Sequence, residues 1–234
     1  MQGAFAGVVG WQKNSFIDFP GTVSTVLFFS ACNLQCPYCH NPGIVNASSQ
    51  NQIDENAIWE FLQQRWNIID GVVFSGGEPT LHANLLQAAE KVRVLGYKVK
   101  LDTNGLLPNV IKRIKPDFLG LDIKTLPKLY KELCGSPYED TETRLQQSLD
   151  IAREMKENAE VRITCAPGFV SREIIKDLGM LLQGISTVFL QPMQNKVELL
   201  NPEFAKKELI SKEEILGFQE LLTPCVGKCN IRGS

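Results

Sequence analysis

The chain has 234 residues, 44% of them apolar and 21% charged, with a formal net charge of -2, the balance of an ordinary soluble globular protein. That charge argues against a nucleic-acid or anionic-membrane binder; no apolar run approaches the ~20 residues that cross a bilayer, and the N-terminus lacks the basic start and long apolar core of a signal peptide. Seven cysteines, odd in number and unevenly spread, do not read as a secreted disulfide framework, so a reduced, cytoplasmic setting is expected.

Taken in order, residues 1–21 are a polar, Gly-rich lead-in, and residues 1–50 carry only Lys13 and Asp18 as charged side chains. That sparsity fits a buried first strand, or a dry shell and a surface that docks a protein. Residues 22–29 form the first strand and end on a cysteine-rich loop; 43–56 read as a surface connection. Asp54 is placed to cap a helix to about Trp66. Residues 71–74 are a short buried strand, followed by the loop Ser75-Gly76-Gly77-Glu78-Pro79. A helix over about 82–95 stops at Gly96 in a left-handed cap, and a strand at 97–101 closes on Asp102-Thr103-Asn104-Gly105. Pro108 opens a short helix. Residues 117–123 are a strand, 142–157 a long helix, and 160–165 a strand that stops before Pro167-Gly168. Ser171 caps a helix to about Gln183, 187–190 is the sixth strand, and Ser211 caps a last helix to about Leu222; 223–234 is a tail.

Six alternations of strand and helix over 22–222 predict an α/β fold with parallel strands. Eight such units need ~250 residues, so the expectation is a single-domain partial (βα)6 barrel. The polar stations fall at or near the C-terminal ends of successive strands, the face where barrel active sites form: Cys32/Cys36/Cys39, Gly76-Gly77-Glu78-Pro79, Asp102-Thr103-Asn104, Asp122/Lys124, Arg162 and Gln191.

Cys32, Cys36 and Cys39 lie within eight residues, and thiolates that close together need a soft cation to neutralise them. Structural zinc sites usually draw a second ligand pair from a distant turn, and none stands at that spacing here, although His40 could be a fourth zinc ligand. On a [4Fe–4S] cube three cysteines leave one iron open to a substrate or cofactor. Gly76 and Gly77 let the backbone pass close to a ligand, or simply make a strand-to-helix turn. Asp102 to Gly105 could be only an Asx turn, and Arg162 in an apolar strand needs a partner. Cys134, Cys165, Cys225 and Cys229 read as free thiols, and His82 as a first-turn residue without a catalytic task.

The spacing C-x3-C-x2-C after a first strand resembles the radical S-adenosylmethionine superfamily. The wider stretch from Phe16 to Pro42, with Asp18-Phe19-Pro20-Gly21 and Cys39-His40-Asn41-Pro42, resembles the glycyl-radical-enzyme activases, and among them the activating proteins of anaerobic ribonucleoside-triphosphate reductase. Ala31 stands where that family usually has Gly. The resemblance implies a [4Fe–4S] cluster on Cys32, Cys36 and Cys39. It further implies S-adenosyl-L-methionine held by Gly76, Gly77 and Glu78 and by Lys124 and Arg162, with Tyr38 covering the adenine or shielding the cluster. Where some relatives carry a His near the adenosine this chain has Gln191-Pro192-Met193, and Gln191 or Met193 is left to take that role. It implies a sodium or potassium ion on Asp102, Thr103 and Asp122, with Asp102 and Thr103 beside the cofactor carboxylate. The implied reaction cleaves the cofactor reductively to a 5′-deoxyadenosyl radical that abstracts a glycine α-hydrogen on the reductase, with electrons from a flavodoxin or ferredoxin. A pyruvate formate-lyase-type partner, a small-molecule enzyme such as a 7-carboxy-7-deazaguanine synthase, and a non-catalytic zinc module are the competing readings.

Overall fold

The structure, a computed structural model, describes residues 3–47 and 51–233; of the connection expected at 43–56, residues 48–50 lie outside them. The strands are β1 Val8–Ser15, β2 Ser24–Phe29, β3 Gly71–Gly76, β4 Lys98–Thr103, β5 Phe118–Asp122, β6 Ala159–Cys165, β7 Thr187–Pro192 and β8 Lys228–Ile231. The helices are α1 Pro42–Val45, α2 Glu55–Arg65, α3 Leu85–Val94, α4 Pro108–Ile114, α5 Tyr130–Cys134, α6 Thr141–Met155, α7 Arg172–Leu181 and α8 Lys212–Leu222. The strands follow one another in chain order. Only β1 on β2 is antiparallel among the ladders β1–β2, β2–β3, β3–β4, β6–β7 and β7–β8. This is the expected α/β class with mostly parallel strands.

Two strands lie beyond the six expected. The lead-in makes β1, whose Trp11 to Asn14 stretch is too polar to read as a strand but suits an edge, where charged side chains keep other chains from pairing. The tail makes β8, only four residues long. The helix expected from His82 begins at Leu85 instead. Pro79–Leu81 forms a 3-10 turn, and the Asn84 amide is drawn off to donate to the Ala4 and Ala6 carbonyls at 2.6 and 3.0 Å.

The chain divides into two compact units, with boundaries inside the cysteine loop and inside β5 rather than at a linker. The first comprises Met1–Cys32, Gly43–Thr103 and Asn109–Leu119. Its strands β2 and β3 are nearly continuous apolar runs, as parallel strands buried on both faces require. Phe19, Val26, Val73 and Phe118 pack into one cluster, each such side chain worth about 1.5–3 kcal/mol on burial. Phe19-Pro20-Gly21-Thr22 is a type II turn: Pro20 fixes the second position, Gly21 sits at φ +66°, and Thr22 N–H donates to Phe19 O at 3.0 Å.

One lysine of this unit is 2% exposed: Lys100, which donates to the Asp18 carbonyl and pairs with Asp102 at 3.1 Å. A buried ammonium is tolerated only when paired, and removing its carboxylate typically costs about 3–5 kcal/mol. Two residues apart on a strand, Lys100 and Asp102 share a face.

The second unit comprises Asn33–Pro42, Asn104–Pro108 and Gly120–Ser234. It holds β6, β7 and β8, with α7 started by the Ser171 side chain and α8 by a Ser211–Glu214 capping box. Val161, Ile163, Val188 and Leu190 are wholly buried in its core.

Candidate active site

In the first unit β2 ends at Phe29 and leads through Ser30 and Ala31 to Cys32. Ala31 adopts φ +61°, a left-handed conformation that costs a residue with a Cβ about 1–2 kcal/mol. The Ala31 carbonyl accepts from Glu78 N–H at 2.8 Å, and the Phe29 carbonyl from Gly77 N–H at 2.8 Å. A Cβ on Gly76 (φ +122°) would stand 2.3 Å from the Phe29 oxygen, and one on Gly77 1.9 Å from the Ala31 oxygen. The chain's own backbone therefore fills the room these glycines leave, and that contact alone demands glycine.

Glu78 is completely buried. Its Oε1 accepts from Thr80 N–H at 3.1 Å, from the Thr80 hydroxyl, and from the Thr103 hydroxyl at 2.7 Å. Glu78 and Thr103, both expected to meet a cofactor, are thus joined to each other and brace the ends of β3 and β4. His82 Nε2 lies 2.8 Å from the Ser30 carbonyl, with its ring against Phe29, a structural post.

In the second unit the loop carrying Cys36 and Cys39 is pinned along its backbone. Cys39 N–H donates to Cys36 O at 3.0 Å in a turn with Pro37 second. Gln35 N–H donates to Cys134 O at 2.7 Å, Leu200 N–H to Cys39 O and Asn201 N–H to Pro37 O, both at 3.0 Å. Asn104 makes the expected Asx turn, its Oδ1 accepting from Leu106 N–H at 3.1 Å, while its Nδ2 donates to Asn33 Oδ1 at 2.7 Å. The loop is held in shape before anything binds it.

The Cys36 thiol is held below the usual thiol range, chiefly by a hydrogen bond from Cys134, against burial and with help from the Lys124 charge. Burial pushes the Cys39 thiol up. Tyr38 is 4% exposed, its ring set edge-on to Phe169 at 4.7 Å between centroids. Its hydroxyl is buried with no close hydrogen-bond partner among the described residues, and lies near enough to Cys36 to help lower that thiol. Cys165 and Cys229 are pushed by burial to about 12 and about 11, so both stay protonated thiols at neutral pH.

Asp122 closes β5 with two cations on it: Arg162 Nε at 2.6 Å and Lys124 Nζ at 3.2 Å. Burial alone would raise its carboxyl, but Arg162 and Lys124 outweigh burial and hold it at about 2. Burial works to lower Lys124, and the Asp122 carboxylate raises it above the usual lysine range. A carboxyl held below its unfolded value of about 3.9 stabilises the fold above that pH and loses the contribution as pH falls toward 2. Between about pH 5 and pH 2 the loss is about 2 kcal/mol, so Asp122→Asn should flatten the acid limb of a urea-melt stability profile by that amount. An acid limb as steep as that of the parent protein would contradict the pairing. Gln191 stands half-buried on β7, opposite Thr164 of β6.

Among the described residues no three His, Cys, Asp or Glu side chains form a ready cage for one metal ion. A cube asks for less convergence, because each thiolate binds its own iron. A shaped loop of thiols, with the Cys36 thiol held below the usual range, fits that donor set. Residues 26–181 match the family model of the radical SAM superfamily, a stretch that contains the cysteine loop, the Gly76-Gly77 turn, Asp122 and Arg162. The chain belongs to the radical SAM superfamily. It is therefore an enzyme of radical chemistry, in a family whose cofactors are a [4Fe–4S] cluster and S-adenosylmethionine.

As a radical SAM protein it is 28% identical over 215 residues to a protein of Methanocaldococcus jannaschii named as a glycyl-radical enzyme activating enzyme, covering 89% of this chain and 88% of that one. It is 28% identical over 204 residues to the pyruvate formate-lyase-activating enzyme of Clostridium pasteurianum, covering 81% and 79%. Among solved structures, Streptococcus suis SuiB bound to S-adenosylmethionine superposes with a TM-score of 0.62 at 19% identity over 87% of this chain. The likeness is one of fold, and the chain spans 48% of the length of that structure.

Sequence reasoning passed over Lys100, Asn33, Glu160 and Arg232, and gave Cys134 no part beside Cys36. Two of them carried a signal: Lys100 with Asp102, and Glu160 with Arg162, are charges two apart in strands and so on one face.

Proposed function

We propose that this protein is a glycyl-radical-enzyme activase, and that its partner is an anaerobic ribonucleoside-triphosphate reductase served by a flavodoxin or ferredoxin. Similarity to two activating enzymes over about four fifths or more of both lengths carries the activase reading. The narrower partner rests on the motifs around Asp18-Phe19-Pro20-Gly21 and Cys39-His40-Asn41-Pro42.

Cys32, Cys36 and Cys39 would hold the cluster, which supplies one-electron reduction of S-adenosylmethionine and so the radical that takes a hydrogen atom from the partner's glycine. The chain's own residues orient and shield. The Gly76-Gly77 backbone, locked against Phe29 and Ala31 and braced by Glu78 through Thr80 and Thr103, would present a fixed edge to the cofactor's amino end. Arg162 and Lys124 would offer positive charge to its carboxylate. Asp122 carries those two cations and Asp102 carries Lys100, and a sodium or potassium ion on Asp102, Thr103 and Asp122 would bind carboxylates that side chains already pair. Tyr38, packed on Phe169, keeps water from the cysteine loop. No side-chain acid or base is asked to move a proton. The test is the anaerobically reconstituted protein with S-adenosylmethionine, assayed for 5′-deoxyadenosine and for a glycyl radical on the reductase.

A further inference from the structure

Five charged side chains of the second unit stand in a row. Lys124 Nζ is 3.2 Å from Asp122 Oδ2, and Asp122 Oδ1 accepts from Arg162 Nε at 2.6 Å. Arg162 Nη1 stands 3.8 Å from Glu160 Oε1. Glu160 in turn accepts from Arg232 twice, Nη1 to Oε1 at 3.0 Å and Nη2 to Oε2 at 2.8 Å. The Glu160 side chain is 3% exposed, too buried to go without a cation.

Two arginines therefore face one buried carboxylate, and the distances record which one holds it. Arg232 takes both oxygens in a bidentate fork, the strongest geometry for such a pair, and Arg162 is left at long range from Glu160 and at short range from Asp122. Arg232 is itself fixed by its backbone N–H on Leu190 O at 3.0 Å and by its guanidinium 3.6 Å from the Phe189 ring centroid. Both contacts depend on β8, which pairs with β7.

We propose that Arg232 is a positioning residue. By satisfying Glu160 it keeps the Arg162 guanidinium turned to Asp122, and the paired Asp122 in turn holds Lys124. The C-terminal strand thereby sets the direction of two cations, one of which, Lys124, acts on Cys36 of the cysteine loop. The consequence for cofactor binding rests on the function proposed above; the relay itself does not.

The test is made on the full-length, cofactor-free protein with 15N-labelled arginine, by following hydrogen exchange of the Arg162 Nε–H. Arg232→Ala should speed that exchange about tenfold, the scale of losing one charge-assisted hydrogen bond, because Glu160 then draws Arg162 away from Asp122. Adding Glu160→Gln to Arg232→Ala should bring it back to within about twofold of the parent, which no general loosening of the tail would do. Arg232→Lys, which keeps a cation and the β7–β8 ladder, should fall between the two and serves if the alanine variant does not fold. Exchange unchanged in Arg232→Ala, or a double variant no slower than the single one, overturns the relay. In cluster-loaded protein Arg232→Ala should also weaken S-adenosylmethionine binding about tenfold with the iron–sulfur absorbance unchanged. Parent protein that binds no S-adenosylmethionine would refute the proposed function and leave the exchange result standing.

Discussion

Cys36→Ala should abolish both the brown iron–sulfur absorbance after anaerobic reconstitution and all cleavage of S-adenosylmethionine, and Cys32→Ala and Cys39→Ala should do the same. The loss is expected to be complete, because a cube left with two protein ligands is not retained under gel filtration. Cys165 and Cys229 are held protonated at about 12 and about 11. Cys134 is wholly buried beside Cys36, where it lowers the thiol of its neighbour, so Cys36→Ala is also the variant in which a substitute ligand would show itself. The fold should survive each change, since the loop is pinned through its backbone and through Asn33 rather than through sulfur. Cluster absorbance or cofactor cleavage retained in any of the three would contradict the ligand assignment.

Gly77→Ala should unfold the start of the cysteine loop without touching a thiol. The added methyl would stand 1.9 Å from the Ala31 carbonyl oxygen, a backbone atom that cannot rotate away, and that oxygen is the acceptor for Glu78 N–H. Strand end and loop must separate, which breaks that bond and exposes the buried carboxylate of Glu78. Losses of this kind exceed about 3 kcal/mol, or roughly 6–12 °C in melting temperature for a chain of this length. The decisive comparison is made on the cofactor-free protein. If glycine were needed only to admit a ligand, Gly77→Ala would melt like the parent and fail only in cofactor binding; a large drop in melting temperature before any cofactor is added supports the contact with Ala31.

The same residues show how far the chain could be read in advance. The cysteine loop stood out in the sequence because its chemistry is local: three thiols in eight residues ask for a soft metal wherever they fold. The strand–helix alternation was legible because buried parallel strands are short apolar runs, and the caps at Asp54, Ser171 and Ser211 stand where the helices begin. The edge strand β1 was not, since Gln12, Lys13 and Asn14 face solvent and carry no apolar alternation. The tail strand β8 was not, because four residues are too few to show a period.

Gly76 and Gly77 stood out as glycines, but which atoms crowd them depends on the neighbouring strand and its left-handed Ala31. Glu78, Thr103, Asp102 and Asp122 were expected at a ligand, and each is bound first to a protein partner. Asp102 with Lys100 was within reach of a period-two reading. Glu160 with Arg232 was not: 72 residues separate them, and nothing local in either stretch announces the other.

The most direct measurement of the central claim is electron paramagnetic resonance on an anaerobic mixture of the reconstituted, reduced protein, S-adenosylmethionine and an anaerobic ribonucleoside-triphosphate reductase. The expected result is a glycyl radical doublet on the reductase, accompanied by 5′-deoxyadenosine and absent when the Cys36→Ala variant replaces the parent. Deoxyadenosine without that doublet would keep the radical chemistry and contradict the reductase as partner. No deoxyadenosine at all, from protein that carries zinc in place of iron, would contradict the function itself.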